Sequence, residues 1–308
     1  MSAATQRGPE RPAVALALAD EPALDTESSH ERRTSRVRAI PPVAVERRPQ
    51  RRRLGPGKRI PYGFAIGPVL LLLAWTLASL TGALDPRILS EPWTVVSTGI
   101  DLIASHRLQD HLITSTRRAS LGLLCGVTTG TVLALICGLS RIGEAVIDGP
   151  IQMKRAVPTL GLLPLLILWL GIGETMKVVT IALTTLIPVY MHTHAGLRTI
   201  DARYVELAET VNVSRWRFLR SVALPGALPG FLMGLRLATT GAWLALVVVE
   251  QINAESGIGY MMSLARSYGQ TEIILVGLVV YGFFGLTSDT AVRLLERRLL
   301  VWRRVLAG

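Results

Sequence analysis

The hydrophobicity of this chain is segmental. Residues 60–84, 119–140, 156–173, 178–197, 222–249 and 273–288 are free or nearly free of charge, and Arg236 alone interrupts the fifth run. At about 1.5 Å per residue, about 20 residues cross a hydrocarbon core about 30 Å thick. Six transmembrane helices are therefore expected, in an all-α integral membrane fold. The sixth run is the shortest and must borrow from its flanks.

The same runs divide the chain. Residues 1–59 are rich in Arg, Pro, Ala and Glu, lack apolar periodicity, and read as a disordered basic arm in the cytoplasm. Residues 60–84 form the first span, 85–118 an amphipathic lead-in on the periplasmic side, 119–292 the core, and 293–308 a basic cytoplasmic tail. A cleaved signal peptide carries its apolar core within about the first 30 residues, whereas here the first strong run starts near residue 60, so that span is expected to be retained. A net charge of +11 would suggest nucleic acid in a soluble protein. Here the basic residues flank spans or lie in the arm, so membrane orientation is the simpler account and no nucleic-acid partner is expected. Lys and Arg concentrate in 1–59, 141–155, 198–221 and the tail, which sets both termini and the 198–221 segment inside.

Several motifs are absent. "GPGK" at 55–58 lacks the earlier Gly and the following Ser or Thr of a phosphate loop, since Arg52 and Arg59 stand there. Cys125 and Cys137 lie on one helical run without CxxC spacing and read as small packing residues. His192 and His194, two apart, point to different sides of a helix, so no metal site is expected. Two runs place small residues at every fourth position: Gly122, Gly126, Gly130, Ala134 and Gly138, then Gly226, Gly230, Gly234, Ala238 and Ala242. Such stripes let helix backbones approach closely in lipid. Pro158, Pro164 and Pro188 free backbone carbonyls and bend the third and fourth spans.

Between the fourth and fifth runs the chain turns charged and helical. Asp201 can cap a helix reaching about Val211, with Tyr204, Leu207, Ala208 and Val211 on one face and Arg203, Glu206 and Glu209 away from it. Asn212 then interrupts, as a residue that tolerates the left-handed conformation. Ser214 can cap a second helix through Val222, ended by Leu224-Pro225 and Pro229. On these residues alone, the segment is either a hairpin lying on the membrane surface or a docking element for a cytoplasmic protein.

A Glu-Ala-Ala pattern, a Gly six residues after the Glu, and a later Leu-Pro mark the permease subunits of ATP-binding cassette importers. Here the pattern stands as Glu206, Leu207, Ala208, then Asn212, then Leu224 and Pro225. With "IQMKRAVPTLGLLPLLILWLGIGE", "GLRTIDARYVELAE" and "EQINAESGIGYMM", the chain resembles the aliphatic sulfonate, nitrate and taurine group of these permeases over residues 85–300. Asn212 departs from the family's Gly. The resemblance implies a type I ABC importer permease fold in the bacterial inner membrane, acting as a homodimer. It implies two partners: a separate cytoplasmic ATPase, holding ATP and Mg, that meets the coupling segment 198–225 at Glu206, and an extracytoplasmic substrate-binding protein. The chain itself needs no cofactor and catalyses nothing.

Thr184, Thr185, Pro188, Arg236, Thr239 and Trp243 are candidate residues of the translocation path, and Glu250 and Gln251, closing the fifth span on the outer side, of the gate or of the surface that meets the binding protein. A permease for another small solute remains an alternative. A self-sufficient secondary transporter would call for paired intramembrane acids or broken repeats, and a membrane scaffold would need no polar path.

Overall fold

The computed structural model describes residues 63–301; the proposed arm at 1–59 and the last residues of the tail lie outside them. Every regular element among the described residues is helical. In chain order these are α1 (Gly63–Leu80), α2 (Pro92–Ala104), α3 (Arg107–Leu139), α4 (Arg141–Ala156), α5 (Leu163–Leu170) and α6 (Glu174–Arg198), followed by α7 (Ala202–Thr210), α8 (Arg215–Phe218), α9 (Leu224–Asn253), α10 (Ile258–Ser267) and α11 (Thr271–Leu299).

Among the described residues, four helices are long and apolar enough to cross a membrane: α3, α6, α9 with the turns leading into it, and α11. The bent pair around α4 and α5 makes a fifth crossing if it is one span. At 18 residues, α1 covers about 27 Å at 1.5 Å per residue, slightly less than a typical core. The six apolar runs thus map onto four long helices, one broken pair and one short helix, rather than six equal spans.

Four features differ from the sequence expectation. The third run is not one helix: α4 and the 159–170 segment meet at 89°. Pro158 excludes the helical conformation from the residue before it, and Val157 is extended at φ −93°, ψ 120°. The 141–155 segment, expected as an inner loop, is α4, whose Asp148 accepts from Tyr190 Oη at 2.8 Å and whose Lys154 Nζ donates to the Leu183 carbonyl at 2.7 Å. The lead-in does not stop at residue 118, because α3 begins at Arg107 and carries its last charged residues into the bundle. The helix capped by Ser214 is not ended by Leu224-Pro225. A widened turn over Leu219–Ala223 lets the Leu224 N–H reach the Leu219 carbonyl five residues back, and Pro225 then sits in the first turn of α9, where its missing N–H costs nothing.

The small-residue stripes do what their spacing predicts. α6 packs between α3 and α9, and both stripes face it: Gly126 lies against Thr185 and the Ala182 carbonyl, and Gly230 against the His192 carbonyl and Gly196. Around these contacts Ile181, Val189, Ala134 and Leu246 are fully buried. Lipid supplies no hydrophobic drive for such packing, so close backbone approach and dispersion must hold the helices together. A Cβ at Gly126 would come within 2.5 Å of the Ala182 carbonyl and still closer to Thr185 Oγ1. Gly126→Leu is therefore expected to destabilise by about 1–3 kcal/mol or more through overpacking. Gly149→Ala has open space around it in α4 and should be neutral or gain up to about 1 kcal/mol of helix propensity. Thermal melting of both variants in one detergent checks the contrast.

Candidate functional site

At one end of the bundle, α7 and α8 form a helical hairpin that projects from α6 and α9. Asp201 caps α7 by accepting from the Arg203 N–H at 3.0 Å, and Ser214 caps α8 by accepting from the Arg217 N–H at 3.4 Å. Between them Asn212 is left-handed at φ 52°. The Val213 N–H returns to the Ala208 carbonyl at 2.8 Å and the Asn212 N–H to that of Glu209 at 3.1 Å, so α7 ends in a Schellman motif. Asn212→Gly should keep this turn within a few tenths of a kcal/mol, whereas Asn212→Val should cost about 1–2 kcal/mol in the left-handed region. Limited proteolysis across residues 205–215 reads the difference as faster cleavage of the Val variant.

No residue of α7 is buried. Its apolar face is turned away from the rest of the described chain: Tyr204 is 58 %, Leu207 60 % and Val211 64 % exposed, and Trp216 of α8 is 69 % exposed. Glu206 is exposed beside them, its carbonyl taken by Thr210 Oγ1. Ala208, Val213, Trp216 and Leu219 line a groove of about 620 Å³ under the hairpin. The doubly capped hairpin thus holds a contiguous patch of aromatic and aliphatic side chains outward.

At the opposite end a second cluster joins five helices. Arg118 of α3 is 3 % exposed and uses its whole guanidinium. Nε and Nη2 donate to the two oxygens of Glu174 at 2.6 and 2.5 Å, while Nη1 donates to Glu250 Oε1 at 2.7 Å and the Ser256 carbonyl at 2.6 Å. Glu250, at the end of α9 and 1 % exposed, also accepts from Ser115 Oγ at 2.8 Å, the Gly259 N–H at 3.0 Å and Tyr281 Oη at 3.1 Å. Buried Lys177 donates to Glu174 at 3.0 Å. Gly257, at φ +114°, has room for no side chain between Glu250 and Arg118. A buried carboxylate with a cation and three further donors is satisfied, and the arrangement ties α3, α6, α9, α10 and α11 to each other.

Sequence reasoning singled out Glu250 but missed Arg118, Glu174 and Lys177. A signal was present: one charge stands at the same-side boundary of each of three apolar runs, and charges there must pair if their helices pack.

The candidate path residues do not share one surface in the described chain. Thr185 is buried against α3, bonding the Ile181 carbonyl at 3.0 Å, and Thr184 faces Gly241 of α9. Thr239 is buried and bonds the Leu235 carbonyl at 2.8 Å. Arg236 Nε pairs with Asp289 of α11 at 2.6 Å, and Trp243 Nε1 donates to Ser288 at 3.0 Å. Pro188 stays inside helical α6 with its carbonyl against Gly234. His194 stacks on Tyr190, with ring centroids 5.6 Å apart.

The chain has counterparts among known proteins. Residues 126–301 match the family described as binding-protein-dependent transport system inner membrane component. The chain belongs to this family. It is 44 % identical over 235 residues to the putative aliphatic sulfonates transport permease protein SsuC of Escherichia coli, covering 76 % of this chain and 89 % of that one. The SsuC protein of Bacillus subtilis is 38 % identical over 268 residues, or 86 % of this chain and 94 % of its own length. The taurine transport system permease protein TauC of Escherichia coli is 34 % identical over 239 residues, 76 % of this chain and 86 % of that one. A solved structure titled as an amino acid ABC transporter with histidines shares the fold at TM-score 0.55 and 22 % identity, covering 65 % of this chain and 97 % of that one. The protein is thus a multi-pass inner membrane permease subunit of an ABC transporter, a non-enzymatic component whose implied partners are an ATPase and a substrate-binding protein.

Proposed function

We propose that this permease forms, as a homodimer, the path of an importer for a small oxyanion, an aliphatic sulfonate, taurine or nitrate. The α7–α8 hairpin is its coupling segment. Glu206, Leu207 and Ala208 meet the ATPase, the Asn212 turn sets the shape of the docking helix, and Leu224 and Pro225 join it to α9. The observation that carries this reading is the exposed apolar face of α7, held rigid by two caps and a Schellman turn with nothing of the described chain packed on it. The substrate class rests on the sulfonate and taurine permeases it resembles.

Both termini and the hairpin lie on the cytoplasmic side, with 1–59 as a basic arm there, and the Arg118 cluster at the outer end. ATP closing two ATPase subunits draws two hairpins together and turns the bundles from inward-facing to outward-facing, and hydrolysis resets them. The work comes from the difference in ATPase affinity for the two arrangements. Thr184, Thr185, Pro188, Arg236, Thr239 and Trp243 belong to helices that move in this cycle.

The test is isolation of the tagged full-length chain from its host in mild detergent, then reconstitution with the ATPase and binding protein that accompany it. Ethanesulfonate, taurine or nitrate should stimulate ATP hydrolysis in the presence of the binding protein. Recovery without any ATPase under several detergents would sink the coupling reading and leave the autonomous transporter as the stronger one.

A further inference from the structure

The inner-end pair of α9 and α11 carries a charge arrangement that neither coupling nor packing requires. Asp289 holds two guanidinium groups at once: Arg236 Nε on Oδ1 and Arg293 Nη2 on Oδ2, both at 2.6 Å. Arg297 follows Arg293 by one turn, on the same stripe of α11. Among the described residues it makes no ion pair. Arg236, Arg293, Glu296, Arg297 and Leu300 enclose an open cavity of about 330 Å³. Three guanidinium groups therefore face two carboxylates, and one of those carboxylates is already shared.

A helix-to-helix bridge needs only Arg236 and Asp289. The extra arginines add like charge, which repels unless something negative sits between them. Asp289 has the further effect of orienting two planar forks so that their other N–H groups stay free of protein acceptors. Arg236 forms no hydrogen bond through Nη1 or Nη2 to a described residue, and Arg293 is 54 % exposed at its side chain. Guanidinium forks fixed at short spacing match the oxygens of a tetrahedral oxyanion in bidentate fashion. A cavity of about 330 Å³ lies at the small end of the range of ligand pockets and has room for a small anion.

The geometry points to a binding site for a tetrahedral oxyanion, a sulfonate or a phosphate, held by Arg236, Arg293 and Arg297 with Asp289 as the positioning carboxylate. Two sources carry that chemistry: a phospholipid headgroup at the membrane surface, and a free anion leaving the path. That the cavity opens to the cytoplasm rests on the orientation proposed above. Binding to the purified protein is read without it, so failure of the site and failure of the orientation are separable.

The experiment uses the full-length protein purified in mild detergent, titrated separately with methanesulfonate and with short-chain phosphatidylglycerol, and compared with Arg293→Gln/Arg297→Gln. Removing two guanidinium groups is expected to weaken binding about tenfold or more, and raised salt should weaken wild-type binding further. Saturation by methanesulfonate supports the site with a free anion as its occupant, and saturation by phosphatidylglycerol alone supports it with a lipid occupant. A second measurement needs only wild-type protein: phenylglyoxal labelling mapped by mass spectrometry, with Arg293 and Arg297 expected to be shielded by the probe that binds. If neither probe binds wild type more tightly than the variant, or neither shields these arginines, the cavity is no binding site and the charges only join the helices.

Discussion

Arg118→Leu is expected to lower the melting temperature of the detergent-solubilised protein sharply, or to prevent its accumulation in the membrane. The substitution strands Glu250, which is 1 % exposed and loses its only cation among the described residues. Removing one partner of a buried ion pair typically costs about 3–5 kcal/mol, because the remaining charge has neither water nor counter-ion. The diagnostic measurement is the second variant. Glu250→Gln on the Arg118→Leu background should recover a substantial part of the loss, since the amide oxygen still accepts from Ser115, Gly259 or Tyr281 without a buried negative charge. Glu174→Gln should matter less, because Arg118 keeps Glu250 as its counter-ion and the amide oxygen of a side chain 62 % exposed still accepts from Arg118 or Lys177. An Arg118→Leu protein that melts like wild type would show that the cluster contributes little to the bundle.

Glu206→Lys is expected to leave the protein folded and inserted while removing the ATPase from its preparations. Glu206 is exposed and its side chain takes part in no ion pair among the described residues, so nothing within the described chain opposes the change. At a docking surface, reversing one charge places like charges together at a cost of several kcal/mol, on the order of a hundredfold in affinity at about 1.4 kcal/mol per tenfold. Leu207→Ser, by contrast, removes apolar contact from a side chain 60 % exposed in the free hairpin and should weaken ATPase recovery less steeply, with melting again unchanged. Quantifying the ATPase recovered per permease in all three preparations decides the matter. Equal recovery from wild type and Glu206→Lys would remove Glu206 from the interface.

The two clusters differ in how far they could be read in advance. The hairpin was legible because its determinants are local: Asp201 and Ser214 cap within three residues, and the Schellman turn at Asn212 closes over six. The Arg118 cluster was not, because its partners are 56 residues away at Glu174 and 132 away at Glu250. Nothing in the spacing of one run tells which charge of another it will meet. Arg236 falls between the two cases: its place within an apolar run marked it as special, but Asp289, which holds it, lies in α11.

The sequence by itself determined where the apolar helices lie, which small-residue stripes pack and where the hairpin turns. Apolar run length, a four-residue stripe of small side chains and capping chemistry each act over a few residues along the chain. Only the tertiary structure decided that residues 141–155 form a packed helix rather than a loop, and that Glu174 and Glu250 converge on Arg118. Those outcomes depend on helices brought side by side, where a buried charge persists only if a distant residue supplies its partner.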